Sequence, residues 1–194
     1  MKPALFAALA ATSLVVACAS KEELIAKGAT IPAGIDLSGQ WRLREDSQES
    51  NARIREAERA AAGGDAGIVV PREGGTNMSR RRASDGTLVH VFLETGKALK
   101  VTQTESGLFI SFDRSVVEEY RFGEKRQISV GPVEADRVSG WEENTYVIET
   151  LDADGAKLIE SYRLQDDGRS LVRTILIVAD GQTSLDVRQV FDRA

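Results

Sequence analysis

From Leu99 to the end, a turn signal interrupts the chain every few residues, and the runs between are short and rich in β-branched and aromatic residues. "LKVTQT", "LFISFD", "VVEEYRF", "RQISV", "VEADRVSGW", "TYVIETL", "KLIESYRL", "LVRTILIV" and "LDVRQVF" alternate in part between apolar and polar positions. That period places one face of each run on a core and the other in water. Glu105-Ser106-Gly107, Phe122-Gly123-Glu124, Asp152-Ala153-Asp154-Gly155, Asp166-Asp167-Gly168 and Asp180-Gly181 separate the runs. Asp-Gly pairs tolerate positive φ and suit tight hairpins. The gaps are too short for parallel crossovers. The pattern predicts an antiparallel up-and-down meander.

An earlier strand, "SGQWRLR" (Ser38–Arg44), stands apart from the rest. A meander of about ten strands has two exposed edges unless it closes, and closure removes them. Ser38–Arg44 is the natural mate for Leu185–Phe191, with Trp41 plugging one end of the barrel. Asp46–Ala62 reads as a charged helix stopped by Gly63-Gly64. Its thin apolar content predicts a surface position. Residues 45–97 thus form a helical and loop insertion. Within it, Thr87–Thr95 has Leu88, Val91 and Phe92 at helical spacing before Gly96 and predicts a short second helix. "SRRRAS" (Ser79–Ser84) is basic; it reads as a solvated loop or, on the sharper reading, as a contact for phosphate groups.

The start of the chain gives an address. Lys2 precedes a run, Ala4–Ala17, in which Thr12 and Ser13 are the only polar residues. The run is shorter than the roughly 20 residues needed to span a bilayer. A charged start, an apolar centre and a small-residue exit make a secretory signal peptide over 1–17. The exit, Val15-Val16-Ala17-Cys18, resembles the lipobox of bacterial lipoproteins. The resemblance implies that Cys18 becomes the lipidated first residue, and Ala19 after it implies the outer membrane, with the protein facing the periplasm. Residues 18–36 then form a tether, and Gly28, Pro32 and Gly34 argue against regular structure there. Residues 37–194 make a single β domain.

Composition excludes several classes. The processed chain has 24 basic against 30 acidic residues, net −6, which argues against nucleic acid as a partner. With Cys18 the only cysteine and His90 the only histidine, no disulfide, zinc site or cofactor site is expected. His90, among apolar residues in "LVHVFLE", reads as a partly buried, hydrogen-bonded side chain rather than a catalytic base. "DADG" reads as a hairpin turn, because a calcium loop needs a glutamate further on.

Gly39-x-Trp41, a helical insertion and then about nine meandering strands resemble the calycin barrels. Lipocalins open with Gly-x-Trp. Intracellular fatty-acid-binding proteins place two helices between their first and second strands. The resemblance implies a closed, ligand-holding barrel in which Gly39 and Trp41 are structural. The last hundred residues are also similar to those of secreted proteobacterial proteins of unassigned activity. Aligned at the C-terminus, the family's carboxylate-binding arginine falls on Gln189 and its tyrosine on Phe191. Val187, Gln189 and Phe191 then face inward, a strand face without a cation. Any occupant is accordingly expected to be neutral or to carry its charge outside the barrel, with Gln189 offering one hydrogen bond. Tyr120, Trp141, Tyr146, Tyr162, Gln189 and Phe191 are the candidate ligand contacts, with core packing the plain alternative for the aromatics. No catalytic residue is assigned.

Three functions stay open: a non-catalytic barrel anchored by lipid that holds an apolar or amphipathic envelope molecule, a module docking other envelope proteins, and a hydrolase using paired carboxylates. Glu118-Glu119 and Glu142-Glu143 are the available pairs. Adjacent residues on a regular strand point to opposite faces, which counts against the hydrolase.

Overall fold

The computed structural model describes residues 23–61, 89–113 and 117–194. The expected signal peptide, Cys18, Leu88 and the basic cluster at Ser79–Ser84 lie outside them. The ten strands are β1 (Gly39–Leu43), β2 (Ala98–Gln103), β3 (Gly107–Phe112), β4 (Glu118–Arg121), β5 (Glu124–Val130), β6 (Val133–Glu142), β7 (Thr145–Asp152), β8 (Lys157–Gln165), β9 (Ser170–Ala179) and β10 (Gln182–Arg193). All neighbours are antiparallel, in the order β4-β3-β2-β1-β10-β9-β8-β7-β6-β5. Helix α1 (Gln48–Ala61) follows β1. In place of the expected second helix there is a single 3₁₀ turn, Val89–Phe92, which buries Val89 and Phe92 and leaves Val91 exposed.

The barrel is nearly closed. β4 and β5, the two ends of the sheet, are not hydrogen-bonded as strands and are bridged by side chains instead. Arg126 Nη2 donates to the Glu119 carbonyl at 2.8 Å, and Ser139 Oγ to the Arg121 carbonyl at 2.8 Å. Arg137 meets Glu118 at 3.4 Å. Turn chemistry follows the sequence: Asp180 and Gly181 both take positive φ, 51° and 71°, and Asp152 Oδ1 accepts from the Asp154 and Ala156 amides across the β7–β8 turn.

β1 does mate with β10, in a register shifted from the expected one. Trp41, Arg42 and Leu43 oppose Arg193, Asp192 and Phe191. With five residues, β1 is too short to cover β10 back to Leu185. Helix α1 takes over that edge. Ser47 Oγ accepts from the Val190 amide at 3.0 Å, and Ser50 Oγ donates to the Arg188 carbonyl at 2.7 Å. Ile54 is fully buried against Val89, Phe92, Leu93, Ile175, Ile177, Leu185 and Val187. The helix expected on the surface therefore caps one end of the barrel. Its polarity misled because Ser47 and Ser50 bond to backbone groups of β10, and Asn51 to the Gln189 side chain and the Gly96 carbonyl.

The expected tether is also corrected. Its described residues, from Glu23, hold no helix or strand, yet they pack against the barrel from Leu24 onward. Leu24 is buried against Val138 and Leu151 on the outer face of β6 and β7. Lys27 Nζ lies 2.5 Å from Glu142 and 2.8 Å from Glu149. Gly28 pairs with Trp141 through both backbone bonds, at 2.9 Å each. An added Cβ on Gly28 would sit 2.8 Å from the Trp141 carbonyl oxygen, so only glycine allows this approach. Ile31, Ile35 and Leu37 then close the barrel end opposite α1.

Candidate functional site

Strand alternation decides what enters the barrel. On β10, Leu185, Val187, Gln189 and Phe191 point inward as expected, and all four are buried. On β9 the same parity carries Leu171, Arg173, Ile175 and Ile177 inward. On β8 it carries Leu158, Glu160 and Tyr162, and on β6 Ala135, Arg137, Ser139 and Trp141. The interior is therefore apolar at its two ends and charged in the middle.

The six candidate contacts all lie inside and fall into two groups. Trp141 and Tyr146 pack with Phe122 near the closed end, their ring centroids 5.3–5.7 Å apart. Trp41 belongs to the same core, with its indole N–H donating to the Leu37 carbonyl and the Arg193 guanidinium 4.2 Å above its ring. A Cβ on Gly39, beside it, would lie 2.7 Å from Arg193 Nη1 and 3.3 Å from the Trp41 ring, so a side chain there would push the guanidinium aside. These residues are core. Tyr120, Tyr162, Gln189 and Phe191 instead surround a charged cluster that the sequence reading did not find.

Arg173 is fully buried at the centre of that cluster. It forks onto Glu160, with Nε at 3.1 Å from Oε1 and Nη2 a second donor to the same oxygen. Its Nη1 donates to Gln189 Oε1 at 3.2 Å, and Gln189 Nε2 donates to Asn51 Oδ1 of α1 at 2.5 Å. Asn51 Nδ2 donates to the Gly96 carbonyl at 3.1 Å. The guanidinium lies over Phe112, 4.5 Å from the ring centroid, and 5.7 Å from that of Tyr162. Arg137 bonds Thr150 at 3.0 Å and Glu118, and faces the rings of Tyr120 and Phe92 at 5.3 and 5.7 Å. The expectation of a cation-free interior is thereby corrected: Gln189 has an arginine as its direct neighbour, supplied by the next strand.

Burial and the nearby charges set the protonation. Burial works against the charge on Arg173, and the Glu160 carboxylate more than offsets it, so the guanidinium binds its proton more firmly than usual. Burial, then the Glu160 charge, pushes the Tyr120 phenol well above its ordinary value. Tyr162 is raised chiefly by burial. Both phenols remain donors, Tyr120 to Glu118 and Tyr162 to Glu160. Partial burial and the neighbouring Glu118 raise Glu94 at the rim.

The void enclosed by Glu94, Ile110, Phe112, Glu118, Tyr120, Glu160 and Tyr162 measures about 10 Å³, room for roughly one water. Hollows of 550 and 530 Å³ lie outside, against β1–β3 and the C-terminus. Of the carboxylate pairs, Glu118 turns inward to Arg137 while Glu119 turns outward to Arg121, and Glu142 is held by Lys27 beside Glu143 in a turn. Neither is a facing pair. Among the described residues, no group of three or more His, Cys, Asp or Glu is placed to hold a metal ion. His90 is buried under the cap, with no hydrogen-bond partner for Nδ1.

No family model matches the sequence, and no curated protein matches it. Among solved structures, a secretory abundant heat soluble protein 4 from Ramazzottius varieornatus is 14% identical, with a TM-score of 0.46 over 87% of this chain and 97% of that one. The Caenorhabditis elegans lipid binding protein 8 is 12% identical, with a TM-score of 0.45 over 81% and 94%. A Schistosoma mansoni fatty acid binding protein, solved in complex with arachidonic acid, is 10% identical, with a TM-score of 0.45 over 81% and 96%. At these identities and scores, the likeness carries no argument about what this chain binds.

Proposed function

We propose that this is a non-catalytic lipoprotein, anchored through Cys18 on the periplasmic side of an outer membrane, which takes an apolar or amphipathic envelope molecule into the helix-capped end of its barrel. The observation that carries this reading is the buried charged and aromatic cluster directly beneath α1. A buried ion pair seldom stabilises a fold more than well-packed apolar residues would. Keeping Arg137, Arg173 and Glu160 inside a barrel therefore calls for another use. The cover over them is α1, seated by Ile54 and bonded to β10 through Ser50, Asn51 and, just before the helix, Ser47, and it can move without breaking a strand ladder.

Two guanidiniums and two carboxylates meet in the interior, so its charge is balanced. An incoming anion would have to displace Glu160 from Arg173. A neutral occupant remains the expected one, now on grounds of charge balance rather than of a missing cation. The 10 Å³ void supports a second reading, an envelope interaction or structural module with a permanently filled core. Native mass spectrometry of protein extracted from its own membrane separates the two. A co-purifying neutral lipid supports the first reading. A ligand-free protein that also fails to bind an added fatty-acid ester supports the second.

A further inference from the structure

The segment before β1 fixes more than the barrel's closed end. Leu24 is buried on the outer face of β6 and β7. Lys27, its side chain only 7% exposed, holds Glu142 of β6 and Glu149 of β7. Glu23 reaches Lys125 of β5 at 2.9 Å. The backbone thus climbs from Gly28, at the Trp141 end, to the middle of the β5–β7 wall. Ile25, between two pinned residues, remains 77% exposed.

The distance from there to the anchor is short. Cys18 precedes Glu23 by five residues, and an extended chain spans at most about 3.6 Å per residue, or roughly 18 Å. A free tether through residue 36 would have reached roughly 65 Å by the same measure. We infer that the outer wall of β5–β7 faces the bilayer that holds Cys18, at a stand-off of no more than about 18 Å, with Ile25 on the side nearest the lipid. This rests on Cys18 being the acylated residue. Glu134, Glu142 and Glu143 are exposed on this wall and its turns, so the lipid surface it suits is neutral rather than anionic. The opposite wall, with β10, is turned to the periplasm, and the capped end opens sideways along the membrane.

A lipidated chain with one added cysteine tests this. Gln127→Cys on β5 and Asp186→Cys on β10 are both exposed positions, and with Cys18 acylated each takes a single fluorescent label. The labelled proteins are reconstituted in phosphatidylcholine vesicles containing head-group nitroxide lipid. The expected result is quenching several-fold stronger at position 127 than at 186. Leu24→Ser combined with Lys27→Ser should free the strap and level the two signals while the protein remains on the vesicles. Equal quenching in the unmodified strap background, with the acyl group confirmed on Cys18 by mass, overturns the inference. A Cys18 without acyl groups overturns the anchoring as well, and mass spectrometry distinguishes that outcome from the first.

Discussion

The two ends of this barrel are closed by different means. At one end, Trp41, Phe122, Trp141 and Tyr146 pack with Leu37 into an aromatic core, and the chain's own strap crosses beneath. At the other, α1 and the 3₁₀ turn lie over aliphatic residues and a buried charge cluster, tied down by Ser47, Ser50 and Asn51. The first closure relies on burying apolar area, a non-directional effect. The second buries one large apolar side chain of α1, Ile54, and adds directional bonds to β10, each of which holds only while its partner is in place. The aromatic end should therefore behave as the stable floor and the helical end as the part that opens.

The largest effect is expected at the floor. Trp41→Ala should lower unfolding stability by about 3–5 kcal/mol in chemical denaturation. A midpoint unchanged from the wild type would break the comparison, because the two ends would then be equally dispensable. At the charged centre, Arg173→Met leaves Glu160 buried without its cation and should cost a similar amount, about 3–5 kcal/mol. Adding Glu160→Gln should recover most of that loss. A double variant no better than the single would mean that Arg173 acts by packing on Phe112, not by its charge.

At the lid, Ile54→Ala should cost about 2–5 kcal/mol if the cap shares the cooperative core. If α1 opens independently, amide exchange in α1 should rise instead, with little change in global stability. Replacing Asp46–Arg82 by a short linker should remove Asn51 and Ile54 from over Gln189 and Arg173 and destabilise the barrel, read as a lower midpoint in chemical denaturation. The smallest effect concerns His90. Burial lowers its proton affinity from the ordinary value of 6.5. Below that pH, the unfolded chain takes up a proton that the folded chain resists. Stability should therefore fall as pH drops through 6.5, and His90→Leu should flatten that slope.

Alternation and Asp-Gly turns made the sheet legible. Parity puts Gln189 and Phe191 on one face, the resemblance to the fatty-acid-binding proteins turns that face inward, and the structure has both buried. Arg137 and Arg173 obey the same parity, the first flanked two residues away by Ala135 and Ser139 and the second by Leu171 and Ile175, and could have been found by it. They were missed because an arginine in a strand reads as the solvent face unless its neighbours two residues away are weighed first. The helix was found but assigned to the surface, since among its described residues only Asn51 and Ile54 are fully buried, and the bonding of Asn51 to Gln189 is not visible in the helix sequence. The strap was invisible. Nothing in "LIAKGAT" marks Lys27 for two carboxylates more than a hundred residues later.

The stitching of α1 onto β10 also sets an order of events. Ser47, Ser50 and Asn51 bond to residues 138 to 143 positions further along the chain. Such distant partners carry a high closure entropy and slow folding. The lid cannot seat until the last strand exists, whereas β1 also pairs with β2 and can join that neighbour beforehand. Seating of the cap is therefore a late event, the docking of α1 on a completed C-terminal sheet. A chain shortened by its final ten residues would lose the bonding partners of the lid and one of the two neighbours of β1, though neither element lies among the residues removed.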